Sequence, residues 1–144
     1  MIVAQVSGAL DTNLLVRLLV DDDQTQALAV QELIRRNAST GNSLFVPVTV
    51  VLELEWVLRS RYGYSRETLL SAFSALLETR ELEFQDEATI EEALNLYRRG
   101  HNDFADCLHL GSSATRGKLP FLTFDRAAAR LPGAEMLLNA HAHL

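Results

Sequence analysis

Short apolar runs of strand length alternate along this chain with longer stretches in which apolar residues recur at helical spacing. The first run ends at Ala9-Leu10, and Asn13 to Val20 reads as a short, strongly apolar helix. Asp21-Asp22-Asp23 breaks it, and Asp23 is placed to cap a second helix from Gln24 to about Asn37. After a turn at Gly41-Asn42, Leu44-Phe45-Val46 reads as a strand that Pro47 ends. From about Thr49 to Tyr62 the residues Val50, Leu54, Val57 and Leu58 recur at helical spacing, and Gly63 marks the stop. Ser65 can cap a helix carrying Leu69, Leu70, Phe73, Leu76 and Leu77, and Leu82-Glu83-Phe84 is a short alternating strand. A further helix, about Ala88 to Arg99, ends at Gly100. Asn102 is expected to cap one from Asp103 to Arg116, closed by Gly117. Phe121-Leu122-Thr123 is a strand, followed by Asp125 and a short helix to Arg130. Pro132-Gly133 is a turn, and Glu135 to Leu138 is expected as a last strand.

Strands separated by helices require crossover connections, so the pattern predicts an α/β fold with a mainly parallel sheet. In such sheets ligands gather at the carboxyl ends of the strands. Asp11 and Asp125 each follow a strand at once, Glu53 lies early in the helix after another, and Asp103 and Asp106 open theirs. All five are therefore expected to face one edge of the sheet.

A chain of 144 residues fits a single domain spanning 1–144, long enough to bury a real core. No apolar run approaches the roughly 20 residues needed to cross a bilayer; Val46 to Leu58 is interrupted by Glu53 and Glu55. The N-terminus shows no basic segment ahead of an apolar one, and Cys107 is the only cysteine. A cytoplasmic protein without disulfides is expected, with no membrane association. The net charge of −6 argues against a module that holds nucleic acid by charge alone. It leaves room for a nuclease, because bound divalent cations reverse the sign inside an acidic cleft. All basic residues but Lys118 are arginine, which grips phosphate with a planar fork; biased composition explains that as well.

Taken singly, each acid beside a strand is equally well explained as a helix cap. Glu55 and the Asp21–Asp23 run read as solvated surface. Jointly the acids are harder to account for. Two carboxylates ~5 Å apart repel by roughly 3 kcal/mol at an effective dielectric of ~20, and a hard divalent cation removes that repulsion. Carboxylate oxygens are the ligands that Mg²⁺ and Mn²⁺ prefer. A cation so held lowers the pKa of bound water and neutralises charge on a phosphodiester transition state. There is no Cys/His zinc pattern, no Gly-rich phosphate loop, and His101, His109, His141 and His143 lack HExxH spacing. His109 is expected to be a packed or surface histidine, and Cys107 a buried structural thiol. A phosphatase or phospho-receiver with Asp11 as nucleophile is disfavoured. Asn13 stands where the former needs a second Asp, and Lys118 precedes its strand.

Four segments carry a resemblance. Leu10-Asp11-Thr12-Asn13-Leu14-Leu15 is similar to the opening motif of PIN domains. Val51-Leu52-Glu53-Leu54-Glu55-Trp56-Val57-Leu58 is similar to their second acidic motif. Asp103-Phe104-Ala105-Asp106-Cys107-Leu108-His109-Leu110 resembles the third, and Leu122-Thr123-Phe124-Asp125 the fourth. The subgroup most resembled is the VapC toxins of type II toxin–antitoxin systems. The resemblance implies a three-layer α/β/α sandwich and an endoribonuclease that cleaves RNA phosphodiester bonds with metal-activated water. It further implies Mg²⁺ or Mn²⁺ as cofactor, a homodimer, and neutralisation by a VapB-like antitoxin. Residue by residue, Asp11, Glu53, Asp106 and Asp125 would be catalytic acids and metal ligands, with Asp103 an auxiliary ligand. Asn13 and Thr123 would hold carboxylates in place. Arg59, Arg61, Arg98 and Arg99 are candidates for phosphate contact without a signal to choose among them. The alternative reading is a non-catalytic PIN-like module that binds RNA or a protein.

Overall fold

A computed structural model describes residues 8–100 and 102–137 of the chain. They divide into two compact units, Met1–Gln85 and Asp86–Leu144. The expectations placed on His101, Leu138, His141 and His143 lie outside the described residues.

The first unit holds β1 (Gly8–Ala9), α1 (Thr12–Leu19), α2 (Gln24–Thr40), β2 (Leu44–Val46), α3 (Val48–Tyr62), α4 (Arg66–Leu77) and β3 (Leu82–Phe84). Its three strands form a parallel sheet in the order β1-β2-β3, with Gly8 opposite Leu44 and Val46 opposite Phe84. The caps come from the expected residues. Asp23 accepts from the Gln26 amide at 3.0 Å, and Ser65 from that of Thr68 at 3.2 Å. Helix α2 runs past Asn37 to Thr40 because its stop is Gly41, left-handed at φ +72°. The hydroxyls of Ser39 and Thr40 donate to the Arg36 carbonyl in this last turn. Pro47 opens α3 without a side-chain cap; the Gln85 side chain supplies one instead, its Oε1 accepting from the Val48 amide at 2.9 Å. Gly63, at φ +68°, ends α3 as predicted.

Helix α3 buries Val51, Leu54 and Leu58, one position off the expected stripe at its start. The same face carries Glu55, which corrects its reading as solvated surface. Glu55 is 3% exposed, and its Oε2 accepts from Arg59 Nε at 2.9 Å, one turn on. The glutamate sits inside because the helical period sets its direction, and the arginine stem spans the gap to solvent.

The second unit holds α5 (Glu87–Arg99), α6 (Phe104–Thr115), β4 (Phe121–Thr123), α7 (Arg126–Ala129) and β5 (Ala134–Met136). Strands β4 and β5 pair in parallel, Phe121 opposite Ala134 and Thr123 opposite Met136. The last strand thus starts one residue earlier than expected. Every strand pair among the described residues is parallel, as the alternation of strands and helices predicts. Helices α5 and α6 pack tightly because Gly111 lets their backbones approach. A Cβ there would stand 2.9 Å from the Thr89 carbonyl oxygen and 3.2 Å from the Ala93 nitrogen. Tyr97 and Phe104 meet edge to face at 5.4 Å, and Thr89 and Thr115 share a hydroxyl hydrogen bond at 2.8 Å. The expected cap of α6 is corrected by one position. Asp103, not Asn102, accepts from the Asp106 amide, at 2.9 Å. Asn102 is buried, and its side-chain amide donates to the Ala127 carbonyl before α7 ends. It therefore ties the start of α6 to α7.

Candidate active site

The acids singled out from the sequence fall into two groups, one per unit. In the first unit Asp11 ends the link from β1 and caps α1, its Oδ1 accepting from the Thr12 amide at 2.7 Å. Asp11 is exposed. Thr12 is buried at 3% exposure, and its hydroxyl donates to Glu53 Oε1 on α3, 41 residues away. That bond makes Glu53 the neighbour of the Asp11 turn. Thr12, beside Asp11, thus orients Glu53. Asn13 itself is exposed and lines an apolar groove with Leu14, Val30 and Leu33. Thr12 went unnoticed because a hydroxyl in a first turn carries no sign of a partner so far along the chain. Glu53 faces solvent while Glu55, two residues on, points into the unit, as the helical period requires.

In the second unit Asp103 caps α6, Asp106 lies in its first turn, and Asp125 caps α7 by accepting from the Ala127 amide at 3.0 Å. Thr123 ends β4. Its hydroxyl accepts from the Asp125 amide at 3.0 Å, fixing the turn that presents that acid. The structure brings Asp103, Asp106 and Asp125 into electrostatic contact. Partial burial, then the charge and hydrogen bonding of Asp103, then the charge of Asp125, hold the Asp106 carboxyl above the usual range, against a smaller opposing pull from His109. His109 is exposed and stacks on Phe121 at 6.1 Å, consistent with a packed surface histidine. Cys107 is buried, as expected of a structural thiol.

Crowding of this kind is what a hard cation relieves. The donors are all carboxylate oxygens, so their chemistry suits Mg²⁺ or Mn²⁺. Among the described residues, no group of three or more His, Cys, Asp or Glu side chains is arranged to hold a metal ion. The caps also shape the acids: an oxygen that accepts from a helix amide is held in direction, and its partner oxygen remains for a second ligand.

The pH response follows from Asp106. Its folded-state pKa lies above the ordinary 3.8, so between those two values the native state keeps a proton that the unfolded chain has lost. The resulting stability is fully present below about 3.8 and is lost as pH rises through the raised value. Asp106→Asn should remove this loss. Denaturant titrations without divalent cations, at steps from pH 3.5 to 7, should show wild type declining relative to the variant. Parallel curves would contradict the crowding.

A curated VapC ribonuclease from Aquifex aeolicus (strain VF5) is 25% identical over 122 residues, covering 85% of this chain and 90% of that protein. The family described as PIN domain matches residues 9–134, from the last residue of β1 to the first of β5. The match takes in Asp11, Glu53, Asp103, Asp106 and Asp125 together with the elements that position them, and the chain belongs to the PIN-domain family.

Proposed function

We propose that the protein is a metal-dependent endoribonuclease of the VapC type. The observation that carries the proposal is the set of acids at Asp11, Glu53, Asp106 and Asp125, each held at a helix start or by a threonine hydroxyl. On this reading Asp11, Glu53, Asp106 and Asp125 would hold Mg²⁺ or Mn²⁺, with Asp103 auxiliary. A divalent cation, when bound, supplies a lowered water pKa and neutralises charge growing on the scissile phosphate.

The chain's own groups do the rest. Asp11 helps direct the attacking water, its direction fixed by the Thr12 amide. Glu53 is held by Thr12 Oγ1, and Asp125 by the Thr123 turn. Asp106, crowded by Asp103 and Asp125, gains most from a cation. No side-chain nucleophile is needed, so the buried thiol of Cys107 stays outside the chemistry.

The VapC resemblance brings partners with it: an RNA substrate, a second copy of the chain, and a VapB-like antitoxin. The groove between α1 and α2, about 660 Å³, has an apolar floor of Leu14, Ala29, Val30 and Leu33 and a rim of Arg17, Glu32 and Arg36. That surface suits an amphipathic antitoxin helix. No helix among the described residues is long and apolar enough to cross a membrane.

Digestion of labelled RNA tests the proposal. Cleavage is expected with Mg²⁺ or Mn²⁺, is abolished by chelator, and returns when the cation is restored. Equal cleavage in chelator, or RNA binding without cleavage in any divalent cation, would favour the non-catalytic PIN-like module.

A further inference from the structure

Trp56 is the only tryptophan in the chain, and it stands 51% exposed on α3. The helix does not need it for packing, since Val51, Leu54 and Leu58 already form the buried face. Trp56 lies instead on the opposite stripe, where Thr49, Glu53, Trp56, Arg59 and Ser60 are all exposed. Residues three or four apart on a helix are neighbours, with Cβ atoms about 5–6 Å apart. The indole is therefore flanked by the Glu53 carboxylate on one side and by Arg59 and Ser60 on the other. Arg59 is itself held in direction by Glu55.

This setting selects the kind of ligand. A protein partner buries a contiguous apolar patch, yet three of the four helical neighbours of Trp56 are an acid, an arginine and a serine, the fourth being the partly buried Leu52. A flat apolar face joined to anionic groups is the better complement, and that is the form of an unpaired nucleobase on its phosphodiester chain. Aromatic side chains bind single strands in this way, since every base offers a π-face. Arg59 stands on the side of the indole away from Glu53, its charge shared with the buried Glu55 carboxylate.

We propose that Trp56 stacks an unpaired base of the RNA substrate, one helical turn from Glu53, and so sets which nucleotide enters the cleavage site. The inference rests on the ribonuclease reading.

Because Trp56 is the sole tryptophan, its own fluorescence reports the contact. The probe is a short single-stranded oligoribonucleotide of mixed sequence carrying a remote dye, titrated in MgCl₂ with the full chain bearing Asp11→Asn. Dye anisotropy reports binding, and indole emission reports stacking. Quenching should saturate together with the anisotropy. Adding Trp56→Ala should weaken binding about 5- to 100-fold, while Trp56→Phe should keep most of the affinity. Binding without quenching, or equal affinity in Trp56→Ala, overturns the stacking role and leaves the ribonuclease reading standing. Emission that follows protein concentration without RNA marks contact with a second copy and overturns it too. No anisotropy change with any RNA would defeat the ribonuclease reading, and this inference with it.

Discussion

Asp11→Asn is expected to lower Mn²⁺-dependent RNA cleavage by about 100-fold or more while leaving the fold intact. Groups that merely orient a metal ligand cost about 10- to 100-fold when removed, so loss of the ligand itself should cost at least as much. The fold should survive because Asp11 caps α1 through Oδ1, and an asparagine side-chain oxygen caps a helix as well as an aspartate does. Asp11→Ala removes charge and cap together, with an added stability cost of about 0.5–2 kcal/mol. Comparing the two variants separates catalysis from capping. Circular dichroism should superimpose for wild type and Asp11→Asn, and a digestion assay should show activity only in wild type. Retained cleavage in Asp11→Asn would remove this acid from the mechanism.

Gly111→Val should be the most damaging single change to the second unit. A Cβ at this position falls 2.9 Å from the Thr89 carbonyl oxygen and 3.2 Å from the Ala93 nitrogen, and both obstacles are backbone. A flexible side chain would yield; a helix backbone has to move as a whole. Overpacking of this kind costs about 1–3 kcal/mol, and the two γ-methyls of valine put it at the upper end. About 3 kcal/mol corresponds to roughly 6–12 °C in melting temperature for a chain near this size. Gly111→Ala gains about 1 kcal/mol of helix propensity against a smaller clash, so it should fall between wild type and Gly111→Val. Thermal melts of the three proteins check the order. An unchanged melting temperature in Gly111→Val would mean that α5 and α6 are not in such close contact.

The elements themselves were legible because this chain marks its helices with local chemistry. Asp23 and Ser65 at helix starts, and Gly41, Gly63 and Gly117 at or just beyond helix ends, act through bonds or dihedrals within a few residues, so the sequence carries them directly. The miss at α6 has the same origin. Asn102 and Asp103 are both good caps, and the Asn102 side chain is drawn instead to the distant Ala127 carbonyl. Glu55 was misread because a charged residue defaults to solvent, whereas the helical period and an arginine one turn away permit burial. Asp106 shows the converse: its place among acids was readable, but the crowding that raises its pKa depends on Asp125 arriving from a separate strand-to-helix turn. Thr12 was invisible for a similar reason, since its partner Glu53 belongs to another helix.

Asp11, Asp103 and Asp125 each accept a hydrogen bond at the start of a helix, and this has an evolutionary corollary. A descendant released from catalysis would still be under selection to keep all three, because losing any one frays a helix. Surviving aspartates are therefore a poor guide to whether a diverged homologue still cuts its target. Asp106 is no helix cap, and its crowding by Asp103 and Asp125 raises its pKa, so stability gives natural selection little reason to retain it. The residue at that one place in a homologue should track activity most closely.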